Sequence, residues 1–292
     1  MNNLIENLYN EDIIYHYTKT VTAIDYILYN QQLKFNQRKK SNDPIENRNA
    51  QRNIEYTGER KNECLSECYC LDEYASSLED QFYQICFCKN NMEENLPSNY
   101  NFDFSGNEEL FGFIKPRMWD QYADKFTGVC IAFSKNKILS LNGNRSDLIK
   151  DDIDYLTFNE LKTKKLGDID ADHLLNVGAE NYKEEIDAII GNSFFYKHKD
   201  YVGENEYRIG IKYNKDIGKI IGETIPDKLD ISECIEAIII SSFANDKQKH
   251  DLLDYANELH FKIIEIDWQY NSFSYKDYRQ WIKVLDMLAY KK

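Results

Sequence analysis

The chain is 292 residues long, enough to bury a substantial core within one domain. Acidic residues outnumber basic ones 50 to 36, and the net charge of −14 disfavours loose, salt-driven attachment to nucleic acid or anionic lipid. Seven irregularly spaced cysteines make no disulfide framework and fit a reducing compartment, and no apolar run approaches the ~20 residues that cross a bilayer. With Met1-Asn2-Asn3 lacking a basic-then-apolar leader, a cytoplasmic protein without a membrane partner is expected.

In chain order, Tyr15-His16-Tyr17-Thr18 comes first and reads as a short strand ending at a histidine. A helix is predicted from 20 to about 31, with Ile24, Ile27 and Leu28 turned inward and Thr20 able to cap it. Residues from about 36 to 110 read as an irregular polar excursion. Within it, Arg38, Lys39 and Lys40 offer a basic patch, and Asn42-Asp43-Pro44 with Glu46 predicts a tight turn whose side-chain oxygens point inward. Residues 84–88 predict a short buried strand inside the same excursion.

Met118-Trp119-Asp120-Gln121-Tyr122-Ala123 predicts a helical turn, and 128–133 a central strand. From 174 to about 196 the pattern is helical, with interruptions at Gly178 and Gly191. Residues 206–211 alternate as a strand, and 234–240 form the continuous apolar run of a buried one. An amphipathic helix over 247–259, a strand over 262–266 and a helix from 278 to about 289 complete the chain. No repeat, Gly/Ser linker or Pro-rich boundary divides it. The expected fold is α+β, a single domain over 1–292 with a mixed central sheet flanked by helices.

Three groups of residues bear on chemistry. Glu204, Glu206 and Arg208 lie two apart, so on a strand they share one face, where the arginine keeps both carboxylates ionised. They make either a solvated edge with an intrastrand ion pair or the charged wall of a cleft, approached through Lys197-His198-Lys199 and Tyr201-Val202-Gly203. His16 is either a satisfied structural group or, with Tyr15, Tyr17 and Thr18, part of a ligand cradle. Trp119 to Tyr122 suits a pinned core helix or a stacking platform for a base. Cys64, Cys68, Cys70, Cys86 and Cys88 lack the tight paired spacing of a zinc site, so no metal is expected. Phosphate-loop, dinucleotide-fold, metalloprotease and serine-elbow signatures do not occur.

The ordered set YHYT, Asn42-Asp43-Pro44 with Glu46, Ile85-Cys86-Phe87-Cys88, Met118-Trp119 with Tyr122-Ala123, Gly128-Val129-Cys130, and Glu204-x-Glu206-x-Arg208 resembles the bacterial domain-of-unknown-function 2971 family, from about 13 to 268. Two positions differ from that pattern: Ile45 replaces an aromatic, and Tyr201 replaces a tryptophan. The start of the chain is also similar to the NAD-binding strand and helix of ADP-ribosyltransferases, with Tyr17 in place of their glycine. That second resemblance implies a split sheet. It also implies that His16, Tyr17 and Thr18 hold NAD. The loop from Arg38 to Asp43, with Asn42, would face its phosphates or the acceptor, and Arg208, counted among the cofactor-binding residues, would keep the glutamates ionised. Glu206 would hold the nicotinamide ribose and Glu204 would orient the acceptor.

The function so implied is an NAD-dependent ADP-ribosyltransferase-like effector, a toxin or anti-phage protein. It would modify a protein or nucleic acid and could have an antitoxin or defence partner. Two rival readings use the same residues. One is a metal-dependent nuclease or hydrolase holding its ion on Asp43, Glu46, Glu204, Glu206 and His16. The other is a non-catalytic nucleotide-binding sensor.

Overall fold

The computed structural model describes residues 4–41, 54–92, 110–213, 228–269 and 273–289. Its strands are β1 (Ile13–Thr18), β2 (Gln32–Lys34), β3 (Asn36–Gln37), β4 (Glu55–Thr57), β5 (Phe82–Lys89), β6 (Val129–Ser134), β7 (Leu148–Asp152) and β8 (Asp154–Leu156). They continue as β9 (Asp168–Asp170), β10 (Tyr196–His198), β11 (Glu206–Lys212), β12 (Lys228–Asp230), β13 (Ile235–Ser241), β14 (Lys262–Trp268) and β15 (Phe273–Asp277). The central sheet runs β15-β14-β13-β6-β1-β5-β11-β7, with β3 paired to the side of β5. Pairing is antiparallel except between β13 and β14, so the sheet is mixed, and helices flank it, as the sequence predicts.

Apolar runs put β6 and β13 at the centre. All six residues of β6 are buried, and alternation sends Ile131 and Phe133 into one core layer while Cys130 and Ala132 enter the other. A third cluster packs the helix Leu65–Asp80 against the helix Ala179–Ser193, through Cys68, Leu71, Ala75 and Leu78 on one side and Tyr182, Ile186 and Ile190 on the other. The described residues of the expected excursion over 36–110 include regular structure, that 16-residue helix and the eight-residue β5. Periodicity missed the helix because its inward face is made of a cysteine, an alanine and two leucines, a weak apolar signal.

The predicted helix at 20–31 forms as Thr20–Thr22 followed by a π-helical stretch, Ala23–Leu28. The predicted helix at 174–196 breaks at Gly178, whose φ of +83° favours glycine, into Ala171–Val177 and Ala179–Ser193. Gly191, in contrast, stays inside the second helix, and Tyr196 begins β10. The helix Tyr278–Ala289 has the expected bounds.

One departure from regular pairing positions the site. β1 is matched to β6 at six positions, from Ile13–Ser134 to Thr18–Val129. On its other side it is matched to β5 only at Ile14–Lys89 and Tyr15–Cys88. Beyond Tyr15 the two strands part. The imidazole of His16 enters this opening and bonds through Nδ1 to the Cys86 carbonyl at 3.0 Å. Tyr15 and Tyr17 fix β1 from the opposite face, donating to the Leu8 and Gly112 carbonyls at 2.7 and 2.8 Å.

Candidate active site

The acidic wall is built by the segment that leads into β11. After β10 the chain makes a 3-10 turn, Lys199–Glu204, and Asn205 adopts the left-handed conformation (φ 44°, ψ 59°) before the strand begins. Asparagine suits that conformation because its short polar side chain bonds locally. Here the Asn205 amide donates to Asn90 O at 2.8 Å and to Asn91 Oδ1 at 3.0 Å. Glu204 therefore lies on the turn and not, as two-residue spacing predicts, on the strand face of Glu206 and Arg208. The carboxylates nonetheless converge, because Lys197 on β10 reaches both, at 2.6 Å to Glu204 and 3.1 Å to Glu206.

Glu206 is held twice over. Arg208 grips it in a fork, with Nε on Oε1 and Nη2 on Oε2, and Arg208 Nη1 also donates to the Phe194 carbonyl at 2.8 Å. The Glu206 backbone N–H donates to the Tyr155 hydroxyl at 2.8 Å. Side-chain exposure is 4% for Lys197, Glu204 and Glu206 and 2% for Arg208, so the reading of a solvated edge is overturned. Burying such ions costs several kcal/mol each and is sustained only where geometry and further hydrogen bonds are good. Glu206 and Arg208 meet that condition.

Glu204 does not meet it. Its Oε2 takes the Lys197 bond, while Oε1 is sealed from solvent with no hydrogen-bond partner among the described residues. Arg117, 43% exposed, stands 3.5 Å from Oε1. Burial, opposed by Lys197, raises the Glu204 carboxyl above its ordinary value. Tyr201 carries both cations of this corner on its ring, Lys197 and Arg117 each at 4.7 Å from the centroid. Lys115 braces the turn from below through a 2.7 Å bond to the Gly203 carbonyl, and burial lowers its ammonium pKa.

His16 forms the facing wall. A carbonyl can only accept, so Nδ1 carries the proton and the neutral ring keeps a lone pair on Nε2. Burial lowers the His16 pKa, although the Cys86 bond works the other way, so the neutral form is favoured. Between the walls lies a cavity of about 100 Å³. His16, Lys197, Glu204 and Glu206 line it together with Tyr15, Tyr17, Phe87, Met118 and Tyr122. Its volume is well below the roughly 300–1,000 Å³ of sites that enclose a whole cofactor, so it takes one ring-sized group. Burial and the nearby Glu204 charge push the Tyr122 phenol well above its ordinary value, which keeps the hydroxyl protonated beside the acids.

The structure thus brings together His16, Tyr17, Glu204 and Glu206, with Arg208 behind them. Thr18 is buried but absent from the cavity lining. Asn42, Asp43, Pro44, Ile45 and Glu46 lie outside the described residues. The basic patch dissolves: Arg38 is buried and stacks on Phe194 at 4.6 Å, while Lys39 pairs with Asp80 at 2.7 Å. Trp119 is a core residue, fully buried with Nε1 bonded to the Phe113 carbonyl at 2.8 Å. All seven thiols are free, and burial pushes that of Cys68 up to about 11. Among the described residues, no group of three histidine, cysteine or carboxylate side chains is placed to hold a metal. No described helix is long and apolar enough to cross a membrane. Lys115 and Tyr155 gave no sequence signal, being single residues whose partners come from distant segments.

Neither curated proteins nor solved structures give a match to this chain. A family model described as Protein of unknown function (DUF2971) matches residues 118–209. This is narrower than the span of motifs in the sequence, and His16 falls outside it. No match supports the similarity to ADP-ribosyltransferases. The matched segment includes Tyr122, Lys197, Glu204, Glu206 and Arg208.

Proposed function

We propose that this chain is an NAD-consuming, ADP-ribosyltransferase-like effector that modifies a macromolecular acceptor. One observation carries the reading: His16, near the start of the chain, and the paired glutamates, two-thirds along it, wall one small cavity at the opening between β1 and β5. An aromatic and thioether lining suits a flat ring, and the volume suits the nicotinamide end of NAD with the rest of the dinucleotide outside. Cleavage of the bond to a charged nicotinamide leaves positive charge on the sugar. A fixed carboxylate in a dry site opposes that charge more strongly than it would in water. The neutral His16 presents an acceptor to the ligand, and Lys197 and Arg208 hold the acidic pair rigid.

The metal-dependent reading is less favoured, because the Glu206 oxygens are already taken by Arg208 and Lys197. Incubation with NAD and cell extract should release nicotinamide and label a macromolecule, and His16→Ala should lose both products. Neither product from the wild-type protein, under conditions where it is folded, would overturn the proposal.

A further inference from the structure

We infer that the two glutamates have different tasks, with Glu204 meeting the ligand and Glu206 serving as a positioning residue that acts through Lys197. This rests on the proposed function for its assay but not for its geometry. Both oxygens of Glu206 are engaged by Arg208, and Lys197 adds a further bond, so the group has little capacity left for a ligand. Glu204, with a side chain only 4% exposed, is one of the residues lining the cavity, and its buried Oε1 has no hydrogen bond among the described residues.

A buried oxygen left this way costs stability unless something supplies a donor. A ligand carrying a hydroxyl or an amide N–H supplies it. Lys197 links the two tasks, since one ammonium serves Glu204 at 2.6 Å and Glu206 at 3.1 Å. Glu206 therefore limits how fully Lys197 neutralises Glu204. Its like charge and its share of the ammonium both help to keep the Glu204 carboxyl above its ordinary value.

The test compares Glu204→Gln with Glu206→Gln in nicotinamide release and in thermal unfolding. Glu204→Gln is expected to lower kcat about 100- to 1,000-fold, the usual loss of one preorganised charge-stabilising group, with an unfolding temperature equal to or above that of the wild type. Glu206→Gln is expected to unfold roughly 10 °C lower and to lose less than about tenfold in kcat at temperatures where it is folded. Its acid limb of rate against pH should also move to lower pH, because Lys197 then turns wholly to Glu204. Thermal shifts with nicotinamide and with ADP-ribose tell an amide from a hydroxyl. Whichever probe stabilises the wild type but not Glu204→Gln carries the donor.

Retained turnover in Glu204→Gln, or an unmoved acid limb in Glu206→Gln, overturns the division of tasks. If the wild type releases no nicotinamide, the proposed function fails and the unfolding temperatures decide alone. A large fall for Glu206→Gln with none for Glu204→Gln then supports the division, and equal falls overturn it.

Discussion

Two buried ion clusters among the described residues are built differently. In the first, Glu265 gives one oxygen to Lys249 at 2.6 Å and the other to Lys276 at 2.8 Å, and Lys249 also donates to the Ser242 carbonyl at 3.0 Å. Every polar group there has a partner, so the cluster ties the helix Asp246–Glu258 to β14 and β15. In the second, Lys197, Glu206 and Arg208 are as well paired, but Glu204 beside them is not. Sealed networks fix a structure, whereas a partly satisfied one costs stability. The unsatisfied cluster is the one that lines the cavity. The contrast separates a structural device from the cluster to which the proposed function assigns a ligand.

The contrast can be broken most directly at Arg208. Arg208→Met removes the fork on Glu206 and the bond to the Phe194 carbonyl, and should cost about 3–5 kcal/mol in urea unfolding. A loss below about 1 kcal/mol would mean that the second cluster does not hold its corner together. Next in size, Glu265→Gln strands the buried Lys249 and should cost about 3 kcal/mol by the same measurement. A near-neutral result would remove the distinction between the clusters.

The smallest effect is the most diagnostic. Burial raises the Glu204 carboxyl, so the folded state takes up a proton there before the unfolded chain does. The cost of its charge is full at neutral pH and is relieved as pH falls towards 4.5, the ordinary value. Glu204→Gln should therefore be at least as stable as the wild type at pH 7. That advantage should shrink on acidification, read as unfolding temperature from pH 7 to 4.5. An advantage that grows on acidification would contradict the environment described for Glu204.

Much of the fold was legible where burial is two-sided. The strands at 128–133 and 234–240 were readable from apolar runs and that at 206–211 from alternation, and with 262–266 they correspond to β6, β13, β11 and β14. The helix Leu65–Asp80 was not, because Cys68 and Ala75 stand where larger apolar residues would mark its inner face. The basic patch failed for a related reason: sequence reports the charge of Arg38 but not that Phe194 is packed beneath it. At the site, His16 and the acidic pair stood out as residue types in a pattern. Their division of partners did not, since it depends on the left-handed turn at Asn205 and on a lysine from another strand.

The position of β1 also bears on how the molecule is made. This strand is synthesised well before its full-length neighbour β6, which ends at Ser134, yet it lies inside the sheet. At about 5–20 residues per second, the nascent chain carries the apolar Ile13–Thr18 segment without that neighbour for on the order of ten seconds. Contacts so distant in sequence make for slow folding. During biosynthesis this apolar segment stands to gain from shielding by a chaperone.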